Sequence, residues 1–358
     1  MPTVHARHLA LLALAALIFP VAAGARAQPA PAPAQPKPAP APAAPVPAPS
    51  APAAPAPAAP APSAPPAAPV PKIPLAQSNP ALVQILLDRT NFSPGVIDGQ
   101  GGGNTRKALA AFQEAHDLPR TGNLDQATWD NLQAAGGGPL LVAYTITPED
   151  AAGPFVKIPE KMEDKAKLPA LGYTSILEML SERFHSTPEF LQKINPQAKF
   201  AAGEVLRAPA VRAVATEKTA ALDTIRIIVS KAASTLIVDN GDDLIFFAPV
   251  TSGSEHDPLP LGEWKVKGIA RHPTFNYNPN LFWDAEPGDS KAKIPAGPNN
   301  PVGVVWIDLS KEHYGIHGTP EPRTIGKTTS HGCVRMTNWD ALTVAALVKP
   351  GTPVLFQP

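Results

Sequence analysis

The stretch YGIHGTPEPRTIGKTTSHGCVRM, residues 314–336, contains the single cysteine of a 358-residue chain, Cys333. It stands two residues after His331 and sixteen after His317, with His313 just upstream. A lone thiol among histidines reads as a metal ligand, a nucleophile or a buried core residue. Choosing among these depends on the compartment, and the opposite end of the chain bears on that.

The opening MPTVHARHLALLALAALIFPVAAGARAQ has a basic start at Arg7, an apolar run from Leu9 to Ala23, and small residues Ala25 and Ala27 around Arg26. It reads as a secretory leader over residues 1–27 rather than a membrane anchor, because the run is short and broken by Pro20. No membrane span is expected after its removal. The chain has 30 basic and 30 acidic residues, and losing Arg7 and Arg26 leaves 28 against 30. A charge near minus two argues against a nucleic-acid partner, which requires concentrated cationic surface. Export to the periplasm or cell envelope would put Cys333 where structural cysteines normally pair, so an unpaired one implies that its reactivity is used.

Residues 28–76 follow as a Pro/Ala-rich linker, with 19 prolines between Gln28 and Pro71. Such a composition buries no core and runs as polyproline II, reaching at most about 140 Å at about 3.1 Å per residue. A helical unit is expected over 77–136. Val83, Leu86 and Leu87 recur at helical spacing, Thr105 precedes a stripe of Ala108, Leu109, Phe112 and Ala115, and Asp125 can cap a third helix carrying Trp129 and Leu132. Over 140–212 a smaller α+β unit is expected. YTIT (144–147) and GEVLRAP (203–209) can pair as strands around two short helices, the first opened by a capping box of Ser175 and Glu178, the second by Thr187 before Pro188. Residues 222–358 are mainly β: TIRIIVS, STLIVD, LIFFAPVT, EWKVKGIA, PVGVVWIDL and TPVLF alternate with turn residues, and one helix from about Asn338 to Val348 has Asn338 available as its cap. The fold class is therefore multidomain, with a helical bundle, a small α+β unit and a sandwich-like β domain holding Cys333.

A zinc site would need His313 and His317 together. Gly315 and Gly318 weaken a helix there, and on a strand the two lie about 13 Å apart at about 3.3 Å per residue, too far for one ion. No metal and no cofactor is expected. As a nucleophile, a thiol with an ordinary pKa of about 8.5 needs a base to remove its proton, and His317 suits that role. Gly318 leaves backbone room, and its carbonyl is the simplest acceptor for the other ring nitrogen. Gly332 lets the amides of His331, Gly332 and Cys333 turn toward one point as an oxyanion hole. His331, on the same face of an extended chain as Cys333, is the rival base, or else a residue that positions the loop. Arg335 either holds a substrate carboxylate or forms an internal salt bridge, with Asp340 the candidate. Ser330 joins it as a substrate-binding candidate.

Several of these stretches also resemble known families. PGVIDG, TRKALAAFQ and TGNLDQATWDNL resemble the peptidoglycan-binding three-helix domain, and the strand, helix, helix, strand order over 140–212 is similar to a degenerate LysM domain. IHGT (316–319), IG (325–326) and SHGCVRM (330–336), supported by APVTSG, LPLGEW and NNPVGVVWIDL, resemble the YkuD-like L,D-transpeptidase catalytic domain. That resemblance implies that Cys333 is the nucleophile and His317 the general base. The implied reaction is acyl transfer on peptidoglycan tetrapeptide stems: D-alanine leaves, and a 3→3 crosslink forms or a wall-attached lipoprotein is joined to the wall. Water as acceptor would make an L,D-carboxypeptidase. A wall-binding adaptor without activity is the reading of another class, and it has no use for a reactive thiol.

Overall fold

Three helices follow the proline-rich stretch. The computed structural model describes residues 72–214 and 224–358, so the expected leader and nearly all of the linker lie outside the described residues. α1 (Pro80–Arg89) is opened by Asn79, whose side chain accepts from the Leu82 N–H, with Pro80 in the first turn. That uses a residue with no N–H to offer where none is needed. α2 (Gly103–Ala115) starts two residues before Thr105, which is buried and receives a hydrogen bond from Gln84. α3 (Gln126–Gly136) is capped by Asp125, whose carboxylate accepts from the Thr128 N–H at 2.7 Å. Val83, Leu86, Leu87, Ala108, Leu109, Phe112, Trp129 and Leu132 bury into one core, whereas Ala115 faces solvent at the fraying end of α2.

The α+β unit begins with β1 (Leu141–Thr145), continues through α4 (Pro148–Ala152), α5 (Met162–Lys165), α6 (Ile176–Arg183) and α7 (Pro188–Ile194), and ends with β2 (Val205–Pro209). β1 and β2 pair antiparallel, with Tyr144 opposite Leu206. Ser175 and Thr187 cap α6 and α7 through their hydroxyls. The Glu178 carboxylate reaches back to the Thr174 N–H, one residue beyond the Ser175 N–H of a regular capping box.

The last unit contains β3 (Arg226–Ser230), β4 (Thr235–Asp239), β5 (Leu244–Pro249), β6 (Gly262–Arg271), β7 (Phe275–Tyr277), β8 (Ala292–Ile294), β9 (Val305–Leu309), β10 (Gly315–His317), β11 (Val334–Arg335), α8 (Asn338–Leu347) and β12 (Pro353–Gln357). Eight strands form one sheet in the order β11-β10-β9-β6-β12-β3-β4-β5, while β7 and β8 make a separate hairpin. β6 serves both halves. Gly262–Lys265 pair with β12, and after a register shift between Val266 and Gly268 the strand continues along β9. Such a bulge bends a strand and lets it pass from one layer to the next. Ile227, Val229, Leu236, Val238 and Phe246 from one half meet Val305, Ile307, Leu309, Ile316 and Val334 from the other in a single core, so the halves face each other as a sandwich does. The two ends of the sheet also meet. Thr251, just past β5, exchanges both backbone hydrogen bonds with Arg335 of β11, at 3.0 and 2.8 Å. That bridge lies two residues from Cys333.

These units are packed together rather than strung apart. Phe247 of β5 and Phe190 of α7 enter the three-helix core, and the Ser93 N–H bonds the Phe247 carbonyl at 2.8 Å. At the junction Arg212 lies between Asp88 of α1 and Asp340 of α8, with His185 Nδ1 2.9 Å from Asp88 and the Ser93 hydroxyl 2.9 Å from Asp340. The long segment before α6 meets the 273–297 insert of the β domain. Leu171 shares a cluster with Tyr277 and Ile294, and the Ser290 N–H bonds Glu163 at 2.6 Å.

Candidate active site

β10 and β11 run parallel, with Ile316 opposite Val334 and His317 opposite Arg335. Alternation along each strand sends Ile316 and Val334 into the core, both fully buried. Burying such a side chain contributes about 1.5–3 kcal/mol, which anchors strands only two or three residues long. The same alternation puts His317 and Arg335 on the opposite face, and Cys333 lies just before β11, two residues from Arg335. Cys333 follows Gly332, whose φ of +93° and contact with Tyr314, where a Cβ would lie 2.7 Å from the ring, admit only glycine. Tyr314 is thus part of the wall beside the nucleophile candidate, which the sequence alone did not single out.

His317 is 5% exposed, its ring stacked on Trp306 at 5.3 Å and 22°. Its Nδ1 lies 2.7 Å from the Gly318 carbonyl. A carbonyl only accepts, so Nδ1 carries the proton and Nε2 is left with its lone pair. Burial pulls the imidazole pKa down to about 4, assisted by the Arg335 charge and opposed by the Gly318 bond. Burial pushes the half-buried Cys333 thiol up to about 11, against the Gly315 N–H and the Arg335 charge. Near neutral pH the site therefore holds a neutral thiol and a neutral imidazole. The thiol points at the His313 carbonyl, 3.7 Å away, rather than at the imidazole. Catalytic hydrogen bonds are often long in an empty site and tighten around substrate.

The other candidates divide. Arg335 does not meet Asp340, which is taken by Arg212 and Ser93; its Nη2 donates to Thr328 Oγ1 and the Thr329 carbonyl, both at 3.0 Å, while its buried Nε has no partner. Ser330 is held within the loop. Its buried hydroxyl donates to the Cys333 carbonyl at 2.6 Å, and its backbone is held by Ser252 and Ser254, so it shapes the loop. The His331 side chain leaves the reacting face for the insert, where Nε2 is 2.8 Å from Asp284 and the ring packs on Phe282 and Trp283. His313 is exposed beside Glu312 while His317 is buried, so the two have no partner in common. Among the described residues no three His, Cys, Asp or Glu side chains are grouped to hold a metal ion.

Comparison with known proteins identifies the family. Residues 224–355 match the L,D-transpeptidase catalytic domain family, and residues 77–132 the peptidoglycan binding domain family. The chain is 33% identical over 187 residues to the L,D-transpeptidase YkuD of Bacillus licheniformis, spanning 51% of this chain and 93% of that one. It is 31% identical over 137 residues to the L,D-transpeptidase YqjB of Bacillus subtilis, spanning 36% and 69%. An L,D-transpeptidase from Mycobacterium smegmatis aligns over 38% of this chain and 59% of its own at 16% identity and a TM-score of 0.32, a likeness too distant to carry further argument. A catalytic domain of acyl transfer joined to a peptidoglycan-binding module is the class these matches define. The chain belongs to the L,D-transpeptidase family.

Proposed function

We propose that the protein is exported and transfers acyl groups between peptidoglycan stem peptides with Cys333 as nucleophile and His317 as base. The Cys333 sulfur attacks the carbonyl between the diamino acid at the third stem position and the terminal D-alanine, as the thiol proton passes to His317 Nε2. Backbone N–H groups of the turn His331–Gly332–Cys333 face the developing oxyanion. The C–N bond then breaks, the imidazolium returns its proton to the departing amine, and D-alanine leaves a thioester on Cys333. An acceptor amine attacks the thioester and loses a proton to His317, giving a 3→3 crosslink and the free thiol. The Arg335 guanidinium, two residues from Cys333, is suited to a substrate carboxylate. The groove of about 410 Å³ between α1 and α2, with Asn79, Thr105, Arg106 and Asn123 on its walls, is suited to wall glycan.

The observation that supports this reading is the β10–β11 pairing of His317 with Arg335, two residues from Cys333, with His317 buried and its Nδ1 held by the Gly318 carbonyl. The test is mass spectrometry of products from the mature protein incubated with disaccharide-tetrapeptide. Released D-alanine and a crosslinked dimer are expected, and Cys333→Ser should lose turnover by about 10³-fold or more. A serine variant close to wild type removes Cys333 as nucleophile. Tripeptide alone makes the acceptor water.

A further inference from the structure

The side chain expected to cap α8 has a different task. Thr337 caps that helix, its hydroxyl accepting from the Asp340 N–H, and the helix begins at Asn338 itself. The Asn338 amide, 1% exposed, is held on both sides. Its Oδ1 accepts from the Val304 N–H at 3.2 Å, and its Nδ2 donates to the two carboxylate oxygens of Glu182 at 3.2 and 3.1 Å and to the Pro298 carbonyl at 3.3 Å. The same Oδ1 presses on Gly318, where a Cβ would sit 2.2 Å from it. The Gly318 carbonyl accepts from His317 Nδ1. A line of direct contacts therefore runs from α6 of the α+β unit to the imidazole.

Glu182 is one of three groups that hold the Asn338 amide. The Val304 N–H only donates, so it demands the oxygen, and the Pro298 carbonyl and the Glu182 oxygens take the NH₂ group, with burial pushing the Glu182 carboxyl up to about 7. The Tyr173 hydroxyl, donating to Glu182 at 3.2 Å, holds the carboxylate in turn. Without Glu182 one amide N–H is left buried and unpaired, which costs stability, and the amide, held then only by Val304 and Pro298, can shift against Gly318.

We propose that Glu182 is a positioning residue for the acyl-transfer reaction, acting through Asn338 and the Gly318 carbonyl to fix the ring orientation and tautomer of His317. The α+β unit is by this account part of the catalytic apparatus. The proposal rests on the reading of His317 as base.

The test uses the mature chain, kcat and KM with tetrapeptide substrate, and the NMR resonance of the His317 Nδ1–H. Glu182→Ala should lower kcat about tenfold with KM within about twofold, and move the resonance. Glu182→Gln, which keeps an acceptor oxygen for Asn338, should restore both. An unmoved resonance in Glu182→Ala overturns the proposal. So does an equal loss of kcat in Glu163→Ala, which breaks a contact between the same two units at Ser290 without touching anything beside His317. If the alanine variant does not fold, Glu182→Asp, one methylene shorter, takes its place, and there too an unmoved resonance overturns the proposal. Full activity in His317→Ala defeats the base assignment, and the resonance still reports on the hold of Glu182 upon the ring.

Discussion

The junction of the three units and the face that carries Cys333 both bury ionisable side chains, but they treat charge in opposite ways. At the junction Arg212 bridges Asp88 and Asp340, lies over the Phe246 ring at 5.4 Å, and has His185 beside it, itself stacked on Trp339 at 5.0 Å. Burial alone would raise Asp88, yet Arg212 and His185 hold its carboxyl below the ordinary range; Asp340, where burial outweighs Arg212, lies above it. Beside Cys333, among the described residues, no carboxylate stands against His317 and no ion pair forms with the thiol, so burial leaves both groups neutral. Desolvation is offset by opposite charge in one place and by loss of charge in the other. The first arrangement fixes units in place, and the second leaves both groups uncharged.

Removing a member of each cluster separates these roles. His317→Ala should leave the fold intact and lower kcat by about 10²- to 10⁴-fold, the usual worth of a positioned base. Turnover within a few-fold of wild type would mean that the neutral imidazole is scaffolding. Arg212→Met should do the reverse, destabilising the protein by about 3–5 kcal/mol in urea unfolding because Asp88 and Asp340 are left buried without a counter-charge. A cost below about 1 kcal/mol would show that apolar packing, not the charges, holds the units together.

A third measurement checks the charge state directly. Only the thiolate is alkylated, so the rate of reaction with a small electrophile follows the thiolate fraction. With the folded thiol pushed up to about 11, the rate should climb through pH 9 and 10 with its midpoint well above the ordinary thiol value. A midpoint near or below neutrality would instead indicate a resting thiolate–imidazolium pair, making the catalytic face resemble the junction after all.

The two regions were also unequally legible in the sequence. Cys333 and His317 stand out because thiol and imidazole are the residue types acyl transfer needs, and strands β3, β4, β5, β6, β9 and β12 because each is long enough to show alternation. β7, β8 and β11 have only two or three residues and carry no period. The junction was invisible. His185 and Arg212 lie 97 and 124 residues from Asp88, and Arg212 lies 128 from Asp340, so no local pattern connects them. Asn338 was misplaced as a cap for the same reason. Its short polar side chain fits that role locally, but Glu182, 156 residues earlier, claims its amide. Spacing along the chain places His331 and Arg335 on the face of Cys333, whereas their directions are set by Asp284 and by Thr328.

His331 should give the smallest effect of all. By spacing alone it rivals His317 as base, yet its imidazole is paired with Asp284 on the insert, with the two side chains 35% and 46% exposed. Exposed pairs of this kind contribute about 0.2–1 kcal/mol, and 1 kcal/mol is about a fivefold change in an equilibrium. With His317 as the base, His331→Ala should therefore lower turnover by no more than about fivefold and leave the alkylation profile of Cys333 where it was. Asp284→Asn supplies the control, because it weakens the same contact from the other side. Equal small losses in both variants assign the pair to holding the insert beside the nucleophile. A loss approaching 10²-fold in His331→Ala alone, with a displaced alkylation profile, would transfer the role of base from His317 to His331.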